Sequence, residues 1–170
     1  MNIVGLYGGT GFVGNYIVNE LLHSNYEVNA LVRKGSENKL LNICAAVECI
    51  HSYSLIHDDL PCMDNDSIRR GKPATHIKFG EASAVLAGSS LLTLAFEIIT
   101  DKKFLLNSKK KNEIVRSLAS CSGHTGIAGG QELDLKFENK KKKLNQIIDM
   151  QKKKTGKLFN FCLNSVGVVA

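Results

Sequence analysis

The chain lacks several things that would place it quickly. It has five cysteines, Cys44, Cys49, Cys62, Cys121 and Cys162, but no Cys-x-x-Cys pair, which argues against a disulfide framework, a zinc ribbon or a redox dithiol. Their mostly apolar neighbours predict buried free thiols in a reducing compartment, the cytoplasm. The longest uncharged stretch, from Ala82 to Phe96, falls short of the roughly 18 apolar residues of a membrane span and is interrupted by Ser83, Ser89 and Ser90. It predicts a buried core helix and no membrane span. No basic segment precedes the first apolar stretch, so no secretory signal is expected. The lysine runs Lys109 to Lys111, Lys140 to Lys143 and Lys152 to Lys154, the main source of the +6 net charge, contain no aromatics on which bases could stack. They predict a solvated surface and no nucleic-acid partner.

What is present is enough apolar mass for a core: 44% of the 170 residues are hydrophobic, and 22% are charged. The two ends of the chain are patterned differently. Asn2 to Tyr7 reads as a strand, followed by Gly8, Gly11 and Gly14, an amphipathic stretch to Leu22, and a second strand from Tyr26 to Val32 that ends in Arg33. Glycines so placed let backbone N–H groups approach a pyrophosphate at a helix N-terminus, and Arg33 would favour a 2′-phosphate. Residues 1–40 resemble the first unit of the extended short-chain dehydrogenases and epimerases. That resemblance implies a Rossmann-like fragment with an NAD(P) site at Gly8, Gly11, Gly14 and Arg33. The strand and helix alternation stops there, and no Tyr-x-x-x-Lys pair exists for that family's redox chemistry.

From residue 41 the periodicity is helical. Helices are expected over Cys44 to Asp59, Glu81 to Thr100, Lys110 to His124, closed by the glycine-rich Gly126 to Gly130, and Leu144 to Val169, with Gly156 inside it. The expected fold is mainly α, a partial helical bundle over residues 41–170 behind the short strand-helix-strand segment.

Between the first two helices, Asp58, Asp59, Asp64 and Asp66 stand directly ahead of Arg69, Arg70 and Lys72. Acids at a helix C-terminus lie at the wrong end of its dipole and call for a cation. Crowded carboxylates raise one another's pKa unless a cation separates them. Mg²⁺ suits the pattern, since it takes one or two carboxylates together with phosphate oxygens, and guanidinium forks match phosphate directly. The acids and arginines are therefore expected to grip one diphosphate and not each other. A zinc site built from His57 and Asp58 with His51 or His76 is disfavoured, because adjacent residues make poor co-ligands.

His51 to Pro73 resembles the first aspartate-rich motif of the trans-polyprenyl diphosphate synthases, most closely the bacterial farnesyl diphosphate synthases. The likeness continues through Phe79 to Gly88, Leu92 to Glu97, Gly129 to Gln131 with Asp134, and Lys154 to Gly156. It implies an isoprenoid-synthase-type helical bundle and a Mg²⁺-dependent prenyltransferase that condenses an allylic diphosphate with isopentenyl diphosphate. Asp58, Asp59 and Asp64 would hold metal, with Arg69 and Lys154 at the allylic diphosphate. His51 and Arg70 would bind isopentenyl diphosphate, Thr155 would reach the allylic diphosphate beside Lys154, and Gln131 would line the substrate cavity. A homodimer is compatible with this reading.

Several family elements are missing. After Asp66 the only aspartates are Asp101, Asp134 and Asp149, so there is no second aspartate-rich motif. No Gly-Lys-x-x-Arg element precedes His51, and Ser89 stands where an aspartate is usual. The expectation is a truncated prenyltransferase with impaired condensation. The other readings are a dehydrogenase-like NAD(P) protein and a non-catalytic fusion fragment.

Overall fold

The computed structural model describes Ile3–Leu6, Glu27–Ala30 and residues 37–169, with side chains from residue 39 onward. Strands β1 (Ile3–Leu6) and β2 (Glu27–Ala30) pair in parallel, Ile3 opposite Glu27 and Leu6 opposite Ala30. Both fall within the two predicted strands. The two short strands that are described do not by themselves support a Rossmann-like domain, which needs further strands and flanking helices to bury its faces. Gly8, Gly11, Gly14 and Arg33 lie outside the described residues.

The remainder is helical. Helix α1 (Glu37–Asp58) runs unbroken across residue 40 and stops ahead of Pro61. A small hairpin follows, β3 (Ile68–Arg69) and β4 (Lys72–Pro73), and then α2 (Thr75–Phe79) and α3 (Glu81–Thr100). Helix α4 (Ser108–Ser122) is capped by Asn107, whose side-chain oxygen accepts from the Lys110 N–H at 2.9 Å. After α5 (Ile127–Phe137) and α6 (Leu144–Gln151), one π-helical turn, Lys152–Gly156, leads into α7 (Lys157–Val169).

The core lies where α1, α3, α4 and α7 meet. Ile43, Ala46, Ile50 and Tyr53 of α1 pack with Ala95 and Ile99 of α3, Ile114 and Leu118 of α4, and Phe161 and Val169 of α7. The α1–α3 contact is the most extensive between helices. Along it α3 presents Ala84, Gly88, Ala95 and Ile99, small residues near its start that let the two backbones come close.

Three expectations are corrected. Helix α3 is not wholly buried: only that one stripe faces inward, and Val85, Leu86 and Leu94 are exposed on the other side. By length and composition it is also apolar enough to cross a membrane. The glycines after α4 do not simply close a helix. Gly126 caps the start of α5, an element absent from the sequence reading, and a Cβ there would lie 1.9 Å from the Cys121 carbonyl oxygen. Finally, the C-terminal helix is interrupted by the π turn.

None of the five cysteines forms a disulfide. Burial pushes the Cys121 and Cys162 thiols up to about 11, whereas Cys62 is exposed, against expectation.

Candidate active site

The end of α1 carries two acids into partly dry surroundings. Asp58 is 9% exposed and Asp59 only 2%. Burial pushes the Asp58 carboxyl up to about 6; Lys154 and Arg69 pull it back, while Asp64 and Asp59 push it further up. The next turn folds back on this helix end, the Asp64 N–H donating to the Asp58 carbonyl at 2.8 Å. Asp58 and Asp64 are thereby neighbours through the backbone.

Asp59 has a different partner. Arg69 donates to it through Nε, at 2.9 and 3.2 Å from the two carboxylate oxygens, and through Nη2. The same Nη2 lies 3.1 Å from Asp66 Oδ2. The expectation that these acids and arginines avoid one another is therefore wrong for Arg69: a carboxylate this buried needs a cation, and Arg69 supplies it. Of the guanidinium nitrogens, Nη1 is left without a partner among the described residues.

The hairpin explains how Arg69 and Arg70 point apart. Its turn residues, Arg70 and Gly71, both have positive φ, 52° and 74°, the pattern of a two-residue type I′ turn. Arg69 is thereby held in β3 facing Asp59, while Arg70 turns to His51, Nη2 to Nε2 3.2 Å. A guanidinium can only donate, so His51 Nε2 accepts and its proton sits on Nδ1. Burial, together with Arg70 and Arg69, lowers the His51 pKa against the opposing pull of Glu48.

A second wall comes from α5. Gln131 is buried and donates through Nε2 to Asp64 Oδ1 at 3.0 Å. Three residues on, Asp134 accepts from Lys154 Nζ at 2.6 Å. Lys154 belongs to the π turn, which is wedged against α5 so tightly that a Cβ on Gly130 would lie 2.2 Å from the Lys154 nitrogen. π turns often mark functional positions because they re-aim side chains within a helix. A cleft of about 410 Å³ opens beside Asp64 and Asp134, bordered by Phe137, Ile147 and Met150. A larger cleft of about 620 Å³, between α4 and α7, lies away from the acids and carries none of this chemistry.

The structure thus brings together Asp58, Asp64, Gln131 and Lys154, and pairs His51 with Arg70. Thr155, beside Lys154, is exposed on the π turn. Among the described residues no three His, Cys, Asp or Glu side chains converge as a metal cage. The donor set that remains, Asp58 and Asp64, suits Mg²⁺, which completes its shell with phosphate and water. One buried atom fits that account: Gln131 Oε1, next to Asp64, has no hydrogen-bond partner and could accept from a metal-bound water. Asp134 as the partner of Lys154 escaped the sequence reading, since nothing in the spacing joins positions so far apart.

The polyprenyl synthetase family model matches residues 18–170. The chain belongs to this family. Among curated relatives, the farnesyl diphosphate synthase of Escherichia coli (strain K12) is 50% identical over 124 residues, 72% of this chain and 42% of the relative. That of Bacillus subtilis (strain 168) is 45% identical over 136 residues, 79% of this chain and 46% of the relative. Among solved structures, a geranyltransferase from Helicobacter pylori complexed with magnesium and isoprenyl diphosphate superposes with a TM-score of 0.76 at 38% identity, covering 82% of this chain and 46% of that one. An FPP/GFPP synthase from Zymomonas mobilis gives 0.74 at 44% identity, covering 79% and 52%. The chain therefore spans less than half the length of the curated relatives it matches. The match reaches back to residue 18, whereas no comparison supports a dehydrogenase-like segment.

Proposed function

We propose that the chain carries the first half-site of a Mg²⁺-dependent prenyltransferase, binding an allylic diphosphate for condensation with isopentenyl diphosphate. The observation that carries this reading is the proximity of Asp58 to Asp64, joined through the backbone at 2.8 Å, with the Lys154 charge acting on the same carboxyl, in a chain of the polyprenyl synthetase family. The H. pylori relative solved with magnesium and isoprenyl diphosphate supports the ligand class.

Asp58 and Asp64 would hold the metal, which when bound neutralises diphosphate charge. Lys154 would exchange Asp134 for a phosphate oxygen, and Thr155 would add a hydroxyl donor. Arg69, fixed by Asp59 and Asp66, presents Nη1 to the same diphosphate as a preorganised donor. Arg70 and His51, already paired, form the place for the diphosphate of isopentenyl diphosphate. Apolar residues bordering the cleft, Phe137, Ile147 and Met150, would keep water from the allylic carbon as its bond to oxygen breaks.

The exposed stripe of α3 leaves room for a second copy, and five cysteines outside any disulfide suit the cytoplasm. An NAD(P) role rests only on glycines outside the described residues and is not proposed. The test is incubation with labelled isopentenyl diphosphate, dimethylallyl diphosphate and Mg²⁺. Mg²⁺-dependent retention of dimethylallyl diphosphate is expected. Absence of any retention would overturn the reading.

A further inference from the structure

His57, immediately ahead of Asp58, has no part in the site as described. Its ring points away from the acids, onto α3, with Nε2 3.1 Å from the Val85 carbonyl oxygen. A carbonyl can only accept, so Nε2 carries the proton. The ring fits because Gly88 has no side chain: a Cβ there would lie 2.2 Å from Nε2 and 2.4 Å from Cδ2. Glycine inside a helix costs about 1 kcal/mol relative to alanine. Nothing in the backbone requires it here, since Gly88 is not among the positive-φ residues. What position 88 supplies is a notch.

The ring is braced elsewhere too. Tyr53, one turn earlier on α1, meets it edge-on, with centroids 5.7 Å apart and planes at 84°. The Tyr53 hydroxyl in turn donates to the Ser122 carbonyl at the end of α4, 3.3 Å away. His57 is thus tied to α3 directly and to α4 through Tyr53. It does this in the last turn of α1, the part of a helix most prone to fray because its carbonyls lack intrahelical partners.

We infer that His57 is a positioning residue: a latch seated in the Gly88 notch that fixes the last turn of α1 to α3, and so holds Asp58 where Mg²⁺ and diphosphate bind. This rests on the proposed function of the site. Asp58 itself needs such a restraint, because Asp64 and Asp59 crowd it with like charge and a free helix end would let it swing toward water. The notch adds a requirement on α3 that burial alone would not impose.

The test is Mg²⁺-dependent binding of inorganic pyrophosphate to the full chain by calorimetry, with helicity followed by circular dichroism. His57→Phe removes the donor, and Gly88→Ala fills the notch. Each is expected to weaken binding about tenfold, as loss of an orienting partner does at metal sites. The double variant should bind no more weakly than either single one, and His57→Gln, which can still reach the Val85 carbonyl, should bind nearly as well as the parent. Unchanged binding by folded His57→Phe, or effects that multiply, would overturn the latch. Should the variants fail to fold, ¹⁵N imidazole spectra of the parent decide: a proton on His57 Nε2 protected from exchange supports the latch, and one on Nδ1 overturns it. If the parent chain itself takes up no Mg²⁺ and pyrophosphate, the site reading has failed and the latch falls with it, before any variant is compared.

Discussion

Gln131 donates to Asp64 at 3.0 Å across 67 positions of sequence, tying α5 to the turn that follows α1. Asp64 therefore meets its ligands already oriented. Gln131→Leu, similar in volume but without the amide, should leave the fold intact and weaken Mg²⁺-dependent pyrophosphate binding about tenfold, in the range seen when outer partners of metal ligands are lost. Calorimetry on the two chains checks it, and equal affinities would show that Asp64 needs no such support.

The buried Asp59 should matter for stability in a way Asp66 does not. Removing one member of a fully buried ion pair costs about 3–5 kcal/mol. Arg69 is about one-third exposed, so the expected loss for Asp59→Asn is nearer 2–3 kcal/mol. Asp66 is half exposed, and Asp66→Asn should change stability by less than about 1 kcal/mol. Urea unfolding of the two variants would separate them, and Arg69→Lys, lacking the planar fork, should behave like Asp59→Asn.

Asp58 gives a dependence on pH whose sign follows from burial. Its carboxyl titrates near 6 in the folded chain against an ordinary 3.8, so between those values the native state holds more protons than the unfolded chain. Without metal, stability should fall as pH rises from about 4 to about 6, and Asp58→Asn should remove that fall. Mg²⁺ should restore stability most strongly above pH 6, where Asp58 is ionised. Thermal melts across this window, with and without Mg²⁺, test both statements.

Gly130 is required by the approach of Lys154. A Cβ there would lie 2.2 Å from the Lys154 nitrogen and 2.4 Å from its Cα, backbone that cannot step aside cheaply. Gly130→Ala should destabilise the chain by about 1–3 kcal/mol, the usual cost of overpacking. It should also weaken pyrophosphate binding, because the π turn that aims Lys154 at Asp134 is displaced. A variant equal to the parent in both would contradict this packing.

Much of the site was legible because its chemistry is local. Asp58 and Asp64 stand out by their crowding at a helix end, and Lys154, Thr155 and Gln131 came from resemblance. The pairing of Arg69 with Asp59 was not legible: whether neighbouring opposite charges join each other or a shared ligand depends on burial, and only the fold shows that Asp59 is dry. The I′ hairpin at Arg70 and Gly71 was hidden because arginine is an unusual residue at positive φ. Helix α5 was missed because Gly126 and Gly130 look like breakers when read locally. Their reason is distant or three-dimensional, close approach to the Cys121 carbonyl and to the Lys154 backbone.

The central claim is that Asp58 and Asp64 form a Mg²⁺-dependent diphosphate site in this chain. Its most direct test is calorimetric titration of dimethylallyl diphosphate into the full chain with and without Mg²⁺, beside the Asp58→Asn, Asp64→Asn double variant. The account predicts saturable binding in the presence of Mg²⁺, at least about tenfold weaker without it, and loss of the Mg²⁺ effect in the double variant. Binding that ignores Mg²⁺, or that survives removal of both acids, would contradict it.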